Sequence, residues 1–420
     1  MKSNLLPKYL ETSKGQRAKD IIKACVHCGF CTATCPSYQV LGNELDSPRG
    51  RIYLIKDFLE GEVTSKKTQL HLDRCLTCRS CETTCPSGVK YGELIDIGRT
   101  LVEKSEKRNT LDVLFRKVIN YIFLNRSVLN LLLFSARFFR VFLPNNLKKL
   151  IPASKKIVYP VKKVEIQNQV IFFKGCVQDP IYPNINAAAE FILNSIGIKV
   201  ILSTDSRCCG ALSHHMNLHS KSEEIIKENV NYLYNALESN KVKNIISTIT
   251  GCGLMIKDYH EQFEQTSPMH EKAKKISQSS MDIFEFILNN EKLIFNFLKK
   301  INFQPNLKSI VYHPPCTMQH GLKINNQVEK FLLKIGYKLN NFDEKHLCCG
   351  SAGTYSIFQR KIANTLRSRK IKNLTNEKPD IICTSNIGCI LHLEKGSDTK
   401  VVHWIEMLAN DILKYVGREQ

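Results

Sequence analysis

Cys25-Val26-His27-Cys28-Gly29-Phe30-Cys31-Thr32-Ala33-Thr34-Cys35-Pro36 and Cys75-Leu76-Thr77-Cys78-Arg79-Ser80-Cys81-Glu82-Thr83-Thr84-Cys85-Pro86 carry one pattern twice, C-x2-C-x2-C-x3-C-P. Three thiolates two residues apart in a tight loop converge on three irons of one cubane. The fourth, followed by proline, is carried off on the next helix towards the other cluster. The spacing therefore predicts two [4Fe–4S] clusters in crossed ligation, one on Cys25, Cys28, Cys31 and Cys85, the other on Cys75, Cys78, Cys81 and Cys35. Soft thiolates also suit zinc. Zinc sites, however, use two ligand pairs separated by a longer gap, whereas here eight cysteines and two prolines stand in register.

Outward from these motifs, residues 1–100 read as one helical unit. Ile21, Ile22, Leu54, Ile55, Phe58, Leu59, Leu94, Ile95 and Ile97 recur at helix-like spacing, with no alternating run of strand residues. The chain has 420 residues, more than one compact core needs, so two or three domains are expected. A hydrophobic fraction of 43% argues against wholesale disorder. The first twenty residues hold no apolar core or small-residue cleavage site and do not read as a secretory signal. Clustered cysteines in a reducing cytosol then point to metal rather than disulfides. The net charge of +21 suits an anionic membrane surface, an acidic partner or nucleic acid, or simply a Lys-, Asn- and Ile-rich composition. Charge alone does not call for nucleic acid, and none is expected.

Residues 101–167 lack cysteine and read as a helical linker, apolar but interrupted by Arg116, Lys117, Arg126, Arg137 and Arg140. The longest charge-free piece, Ser127 to Ala136, is too short to span a bilayer, which needs about 20 residues. Within 111–152 the pattern suits either packing on the rest of the chain or a partner, or an amphipathic helix on a membrane surface. Pro144, Pro152 and Pro160 mark its exit.

Residues 168–300 and 301–420 are two copies of one pattern. Val170-Ile171-Phe172-Phe173 leads to Gly175-Cys176, and Ile310-Val311-Tyr312-His313 leads to Pro315-Cys316. Helical stretches Ile185 to Ile196 and Gln327 to Ile335 precede Cys208-Cys209-Gly210 and Cys348-Cys349-Gly350, at equal distances from the first cysteine. Amphipathic segments follow near Glu223 to Leu237 and Phe358 to Leu374. Apolar strands 244–248 and 380–384 then lead to Gly251-Cys252 and Gly388-Cys389. Strands alternating with helices imply α/β lobes with parallel sheets facing each other. The fold class is α+β multidomain: a helical two-cluster ferredoxin-like domain followed by two related cysteine-rich lobes.

Adjacent cysteines point in different directions, so Cys176, Cys208, Cys209 and Cys252, and likewise Cys316, Cys348, Cys349 and Cys389, offer four convergent thiols per lobe. These suit a metal, a redox thiol site, or plain apolar packing. Cys383 has no counterpart and reads as a core strand residue. His214, His215 and His219, and His313 and His320, flank the lobe cysteines as ligands, acid–base groups or structural residues. Arg49, Arg51, Arg74 and Arg79 border the ferredoxin motifs, either as cations that raise a cluster's potential or as solvated surface residues. No G-x-G-x-x-G after a strand, P-loop or G-x-S-x-G occurs, so no flavin or nicotinamide site is evident. A two-cluster wire then needs a partner for two-electron chemistry.

Both ferredoxin motifs, CCGALSHHMN from Cys208, TGCGLMIKDY from Thr250, YHPPCTMQHGLK from Tyr312, HLCCGSAGTYS from His346, TSNIGCILHL from Thr384 and VVHWIEML from Val401 resemble the iron–sulfur subunit of bacterial glycolate oxidase over nearly the whole chain. The resemblance implies an oxidoreductase acting on CH–OH donors, with flavin-containing partner subunits that oxidise glycolate to glyoxylate. Electrons then pass through this chain towards a respiratory acceptor, a membrane quinone, and no catalytic residue lies on the chain itself. The missing secretory signal and the cysteine usage point to a cytoplasmic location, peripheral on the inner face of the membrane, and the eight cluster cysteines carry over from the family position by position. A lactate or glycerol-3-phosphate dehydrogenase complex is the alternative within that class. The lobes are also similar to those of heterodisulfide reductases and of the third subunit of anaerobic glycerol-3-phosphate dehydrogenase, where the pattern ends in C-x-x-C. Here Ile249 and Asn386 replace the first cysteine of that pair, which weighs against a non-cubane cluster and against disulfide reduction.

Overall fold

The computed structural model describes residues 1–144, 148, 151, 157–160, 166, 168–202 and 208–416. Up to residue 105 the described chain is helical. Its longer helices are Ser13–Ala24, Pro48–Glu60, Lys66–Asp73 and Tyr91–Ser105. Three starts are capped by hydroxyls: Thr12, Ser47 and Ser65 accept from the backbone N–H of Gly15, Gly50 and Thr68. Pro48 follows its cap directly, where a missing N–H costs nothing. The helices bury Ile21, Ile22, Ile55, Leu59, Leu94 and Ile95, while Leu54 and Phe58 are half-buried at the margin. Gly98 permits the close crossing at the centre, because a Cβ there would meet Ile55 Cδ1 at 2.6 Å.

Helices Thr110–Leu124 and Arg126–Phe139 follow, bent by 91° at the break between them. Neither is long and apolar enough to cross a membrane. Their inner face packs on the chain: Arg116 is buried, bonds Asp112 and donates to the Met216 carbonyl, and Ser213 donates to Asn120. Their outer face leaves Leu114, Tyr121, Leu131, Phe134, Phe138 and Phe139 exposed. The packing reading of this segment thus describes its inner face. Pro152 lies outside the described residues.

The remainder forms two parallel four-stranded sheets of identical strand order. In the first, β1 (Asn168–Phe173) pairs with β2 (Ile198–Leu202) and β3 (Ile245–Ser247), and β3 pairs with β4 (Ser280–Asp282). In the second, β5 (Ile310–His313) pairs with β6 (Leu339–Asn340) and β7 (Ile381–Thr384), and β7 pairs with β8 (Lys400–His403). The strands anticipated from the sequence are the central ones, β1, β3, β5 and β7. They are uninterrupted apolar runs because helices cover both faces of a parallel sheet. The outer strands were not anticipated: β4 and β6 are two or three residues long and carry Ser280, Asp282 and Asn340.

One apolar core runs through both lobes and includes Val170, Phe172, Phe284, Tyr312, Phe331 and Trp404. Polar ties cross the same interface. His403 Nε2 lies 3.1 Å from the Thr248 carbonyl, Thr250 and Thr317 hydroxyls meet at 2.6 Å, and Tyr182 donates to Glu394 at 2.5 Å. The second cysteine motif sits on both lobes. Arg79 pairs with Asp258 at 2.6 Å, Thr83 Oγ1 lies 2.8 Å from His320 Nδ1, and Tyr355 donates to the Arg74 carbonyl at 3.1 Å.

Asp282 ends β4 and caps the next helix in a capping box with Glu285, accepting from Phe284 N–H at 2.8 Å. Its other carboxylate oxygen is buried without a hydrogen bond, and burial pushes the carboxyl up to about 7. The unfolded value is about 3.9, so the folded state holds the proton more tightly. The stability this gives is complete below the unfolded value and is lost as pH rises through about 7. Asp282→Asn keeps the cap and abolishes the titration. Thermal melting followed by circular dichroism should therefore show a smaller drop in midpoint between about pH 5 and about pH 7 for the variant than for the parent. Equal drops would contradict this origin.

Candidate iron–sulfur and thiol sites

Each ferredoxin motif folds as a loop with left-handed residues at matching places. His27 and Gly29 have φ of 58° and 85°, and Thr77 and Arg79 have φ of 51° and 59°. Reversing backbone hand between successive cysteines turns their Sγ atoms to one side of the loop. Gly29 meets the need at no steric cost. Its position also admits the Arg49 guanidinium, which a Cβ would meet at 2.9 Å.

Two hollows result. The first is lined by Cys25, Cys28, Cys31, Cys81 and Cys85, with Arg49 and Tyr91. The second is lined by Cys35, Cys75, Cys78 and Cys81, with Arg51 and Tyr91. The first hollow collects the three leading thiols of its own motif with Cys85 and Cys81 of the other, and the second the three leading thiols of its own motif with Cys35 of the other. Four soft thiolates around one hollow are the donor set a cubane requires. Burial pushes the Cys31 thiol up to about 11 and raises those of Cys78 and Cys81 well above the ordinary thiol value. Such thiols keep their protons at neutral pH until a metal displaces them, so metal loading releases protons to solvent. The first hollow is the outer one: Cys28, Val26 and Phe30 are exposed. Cys78 at the second is buried in an apolar cluster with Leu347, Cys348 and Tyr355 of the second lobe.

A buried ion network stitches the two motifs together. Asp46 is fully buried, and its carboxylate meets His71 Nδ1 at 2.9 Å, Arg74 Nη1 at 3.0 Å and Arg51 Nη2 at 3.6 Å. Arg51 donates in turn to the His71 carbonyl and to Ser37 Oγ. Ser37 lies two residues beyond Cys35, and Arg74 immediately precedes Cys75. The surface reading of the flanking arginines fails for Arg51, which is 0% exposed. Arg49 is held by Glu44 and Arg79 by Asp258. Sequence reasoning missed Asp46, Ser37 and His71, because no spacing marks a residue whose partners come from three different elements.

In the lobes the adjacent cysteines do turn to different partners. Cys348 Sγ lies 3.7 Å from Cys316 Sγ, and Cys349 Sγ lies 3.6 Å from Cys389 Sγ. Cys208 and Cys209 are buried beside half-buried Cys176 and Cys252. Cys383 is a core residue on β7, its Sγ 3.8 Å from Met407 Sδ. His320 spans Thr83 and the His346 carbonyl. His214 meets Asp96 at 3.2 Å and stands near His215 and His219, joining the first lobe to the helical unit.

A 4Fe-4S dicluster domain profile matches residues 21–89, and a cysteine-rich domain profile matches residues 170–257 and 310–394. The chain is 40% identical over 414 residues to the glycolate oxidase iron-sulfur subunit of Escherichia coli (strain K12), covering 99% of this chain and 100% of that one. It belongs to the family of glycolate oxidase iron–sulfur subunits. A probable glycolate oxidase iron-sulfur subunit of Bacillus subtilis (strain 168) is 27% identical over 425 residues, 91% of this chain and 92% of the relative. Lactate utilization protein A 2 of Bacillus cereus (strain Q1) is 24% identical over 254 residues, 59% of this chain and all of the relative. Membership of the family makes the chain an iron–sulfur, electron-transfer component of an oxidoreductase complex.

Removing the Asp46 carboxylate leaves Arg51 buried and uncompensated, which costs about 3–5 kcal/mol. Asp46→Ala should lower the melting midpoint and the iron retained per chain after anaerobic purification. A variant with parental iron and melting would show that the network does not hold the motifs.

Proposed function

We propose that this chain carries electrons through two [4Fe–4S] clusters, held by Cys25, Cys28, Cys31 and Cys85 and by Cys75, Cys78, Cys81 and Cys35. A flavin-containing partner subunit oxidises glycolate to glyoxylate, and the electrons leave towards a quinone. The observation that carries this reading is the pair of neighbouring hollows, each with the three leading thiols of one motif joined by Cys85 or Cys35 from the other, and with Cys81 lining both. A [4Fe–4S] cluster, when bound, supplies a one-electron couple, matching a two-electron flavin to single-electron steps. The chain's own residues set the access. The exposed loop around Val26, Cys28 and Phe30 offers the partner an apolar landing beside the first hollow. Arg51, buried at the second hollow, places a fixed cation there and favours added negative charge.

Glycolate is favoured over lactate because the glycolate oxidase relative matches along the whole chain, while the lactate utilization relative matches 59% of it. Anaerobic purification with the co-purifying flavoprotein should give about eight irons per chain and dye-linked turnover with glycolate above that with lactate or glycerol 3-phosphate. Cys28→Ser or Cys78→Ser should abolish that turnover while the flavin subunit is still reduced by glycolate. Unchanged turnover in either variant, or recovery of no flavoprotein, would refute the route.

We further propose a cytoplasmic complex resting on the inner membrane face through the outer side of helices Thr110–Leu124 and Arg126–Phe139. Exposed Phe134, Phe138 and Phe139 there accompany the exposed cations Lys117 and Arg126 on a chain of net charge +21. Phe134→Ser with Phe138→Ser should weaken flotation with anionic vesicles and leave iron content intact. Equal flotation of variant and parent would remove the support for this contact.

A further inference from the structure

The two lobes share strand order and cysteine spacing, yet differ at one position that faces the thiols. Three residues before the first cysteine, β1 ends in Phe173 and β5 ends in His313. Both occupy the same register, Phe173 opposite Ser247 and His313 opposite Thr384. His313 is 1% exposed. Thr384 Oγ1 fixes its Nδ1 at 3.1 Å, while its Nε2 is buried without a hydrogen bond. A buried imidazole nitrogen with no partner is costly to leave in that state. Here a ligand-bearing atom of His313, Cys349 Sγ and Cys389 Sγ all lie within 4.8 Å of one another.

We propose that His313, Cys349 and Cys389 hold a single zinc-class divalent ion, with Cys348 next in reach as a fourth donor. The spacing fits: Zn–S bonds of about 2.3 Å at a tetrahedral angle place two sulfurs about 3.8 Å apart, and the Cys349–Cys389 separation is 3.6 Å. A cubane needs its thiolates on different irons and therefore farther apart. Thr384 plays the part of the outer hydrogen-bond partner that orients a ligating imidazole. Fully buried Lys370 stands near Cys349, Cys348 and Cys389 and complements the negative charge of metal-bound thiolates. Binding releases the thiol protons to solvent and changes no oxidation state. In the first lobe the same place is apolar. Phe173 replaces the imidazole, and Ile249 is buried there, its Cδ1 at 2.2 Å from where a Gly175 side chain would begin and Cys252 Sγ nearby. The ion belongs to the second lobe alone. There it ties β5, the Cys348-Cys349 turn and the helix Ile387–Glu394 together behind the wall that Cys348 shares with Cys78.

The test is elemental analysis of the full chain purified anaerobically with its partners. The parent should carry about one zinc-class ion beyond its iron. His313→Phe, which copies the first lobe, and Cys389→Ser should each lose that ion with iron unchanged, while Cys252→Ser keeps it. Zinc absorption-edge spectroscopy on the parent alone should show a mixed sulfur and nitrogen shell, which keeps the proposal testable should the variants not fold. It is overturned by a parent without such an ion, by extra iron in its place, by a Cys349–Cys389 disulfide, by equal zinc in parent and His313→Phe, or by a shell of oxygen and nitrogen only.

Discussion

A single carboxylate buried away from water, Asp46, is the constraint on which the helical unit depends. Its charge is tolerable only because Arg51, Arg74 and His71 converge on it. Those partners come from the helix Pro48–Glu60, from the helix Lys66–Asp73 and from the residue leading into the second cysteine motif. Ser37, just past the first motif, closes the ring by accepting from Arg51 and donating to the Asp46 carbonyl. A network this buried is stable only when complete. It fixes where the two loops stand before any metal is considered, and the crossing of Cys35 and Cys85 between hollows follows from that placement.

The lobes solve a different problem. Each is a small parallel sheet whose covering helices would expose apolar side chains if the lobe stood alone. Fusing two copies through one core, with Trp404 against Phe284 and Phe331, buries them. The helical unit then docks across the pair through Arg79, Thr83 and Arg74, all within or beside the second motif. This arrangement covers the second hollow and leaves the first at the surface, so two loops of the same cysteine spacing acquire different accessibility.

Legibility followed the range of the interaction that carries each feature. The thiol sets were readable because four cysteines at short offsets can close on one object and on little else. The central strands were readable because complete burial demands apolar runs. The edge strands β4 and β6 were not, since a strand paired on one side only tolerates Ser280 and Asn340. The Asp46 network was invisible, as was the difference between His313 and Phe173, which acquires meaning only beside Cys349 and Cys389. The apolar helices after residue 110 supported two readings, and their inner face follows the packing one.

By itself the sequence determined the chemistry: which thiols travel together, that two lobes are copies, and that the chain belongs with iron–sulfur electron carriers. Those are local facts, set by covalent spacing and by periodic burial. Only the tertiary structure decided which hollow faces solvent, which arginine is buried, and which lobe retains a polar pocket beside its cysteines. Each of those depends on contacts between residues tens to hundreds of positions apart, where the cost of burying a charge or an unpaired nitrogen is settled by whatever the fold brings alongside it.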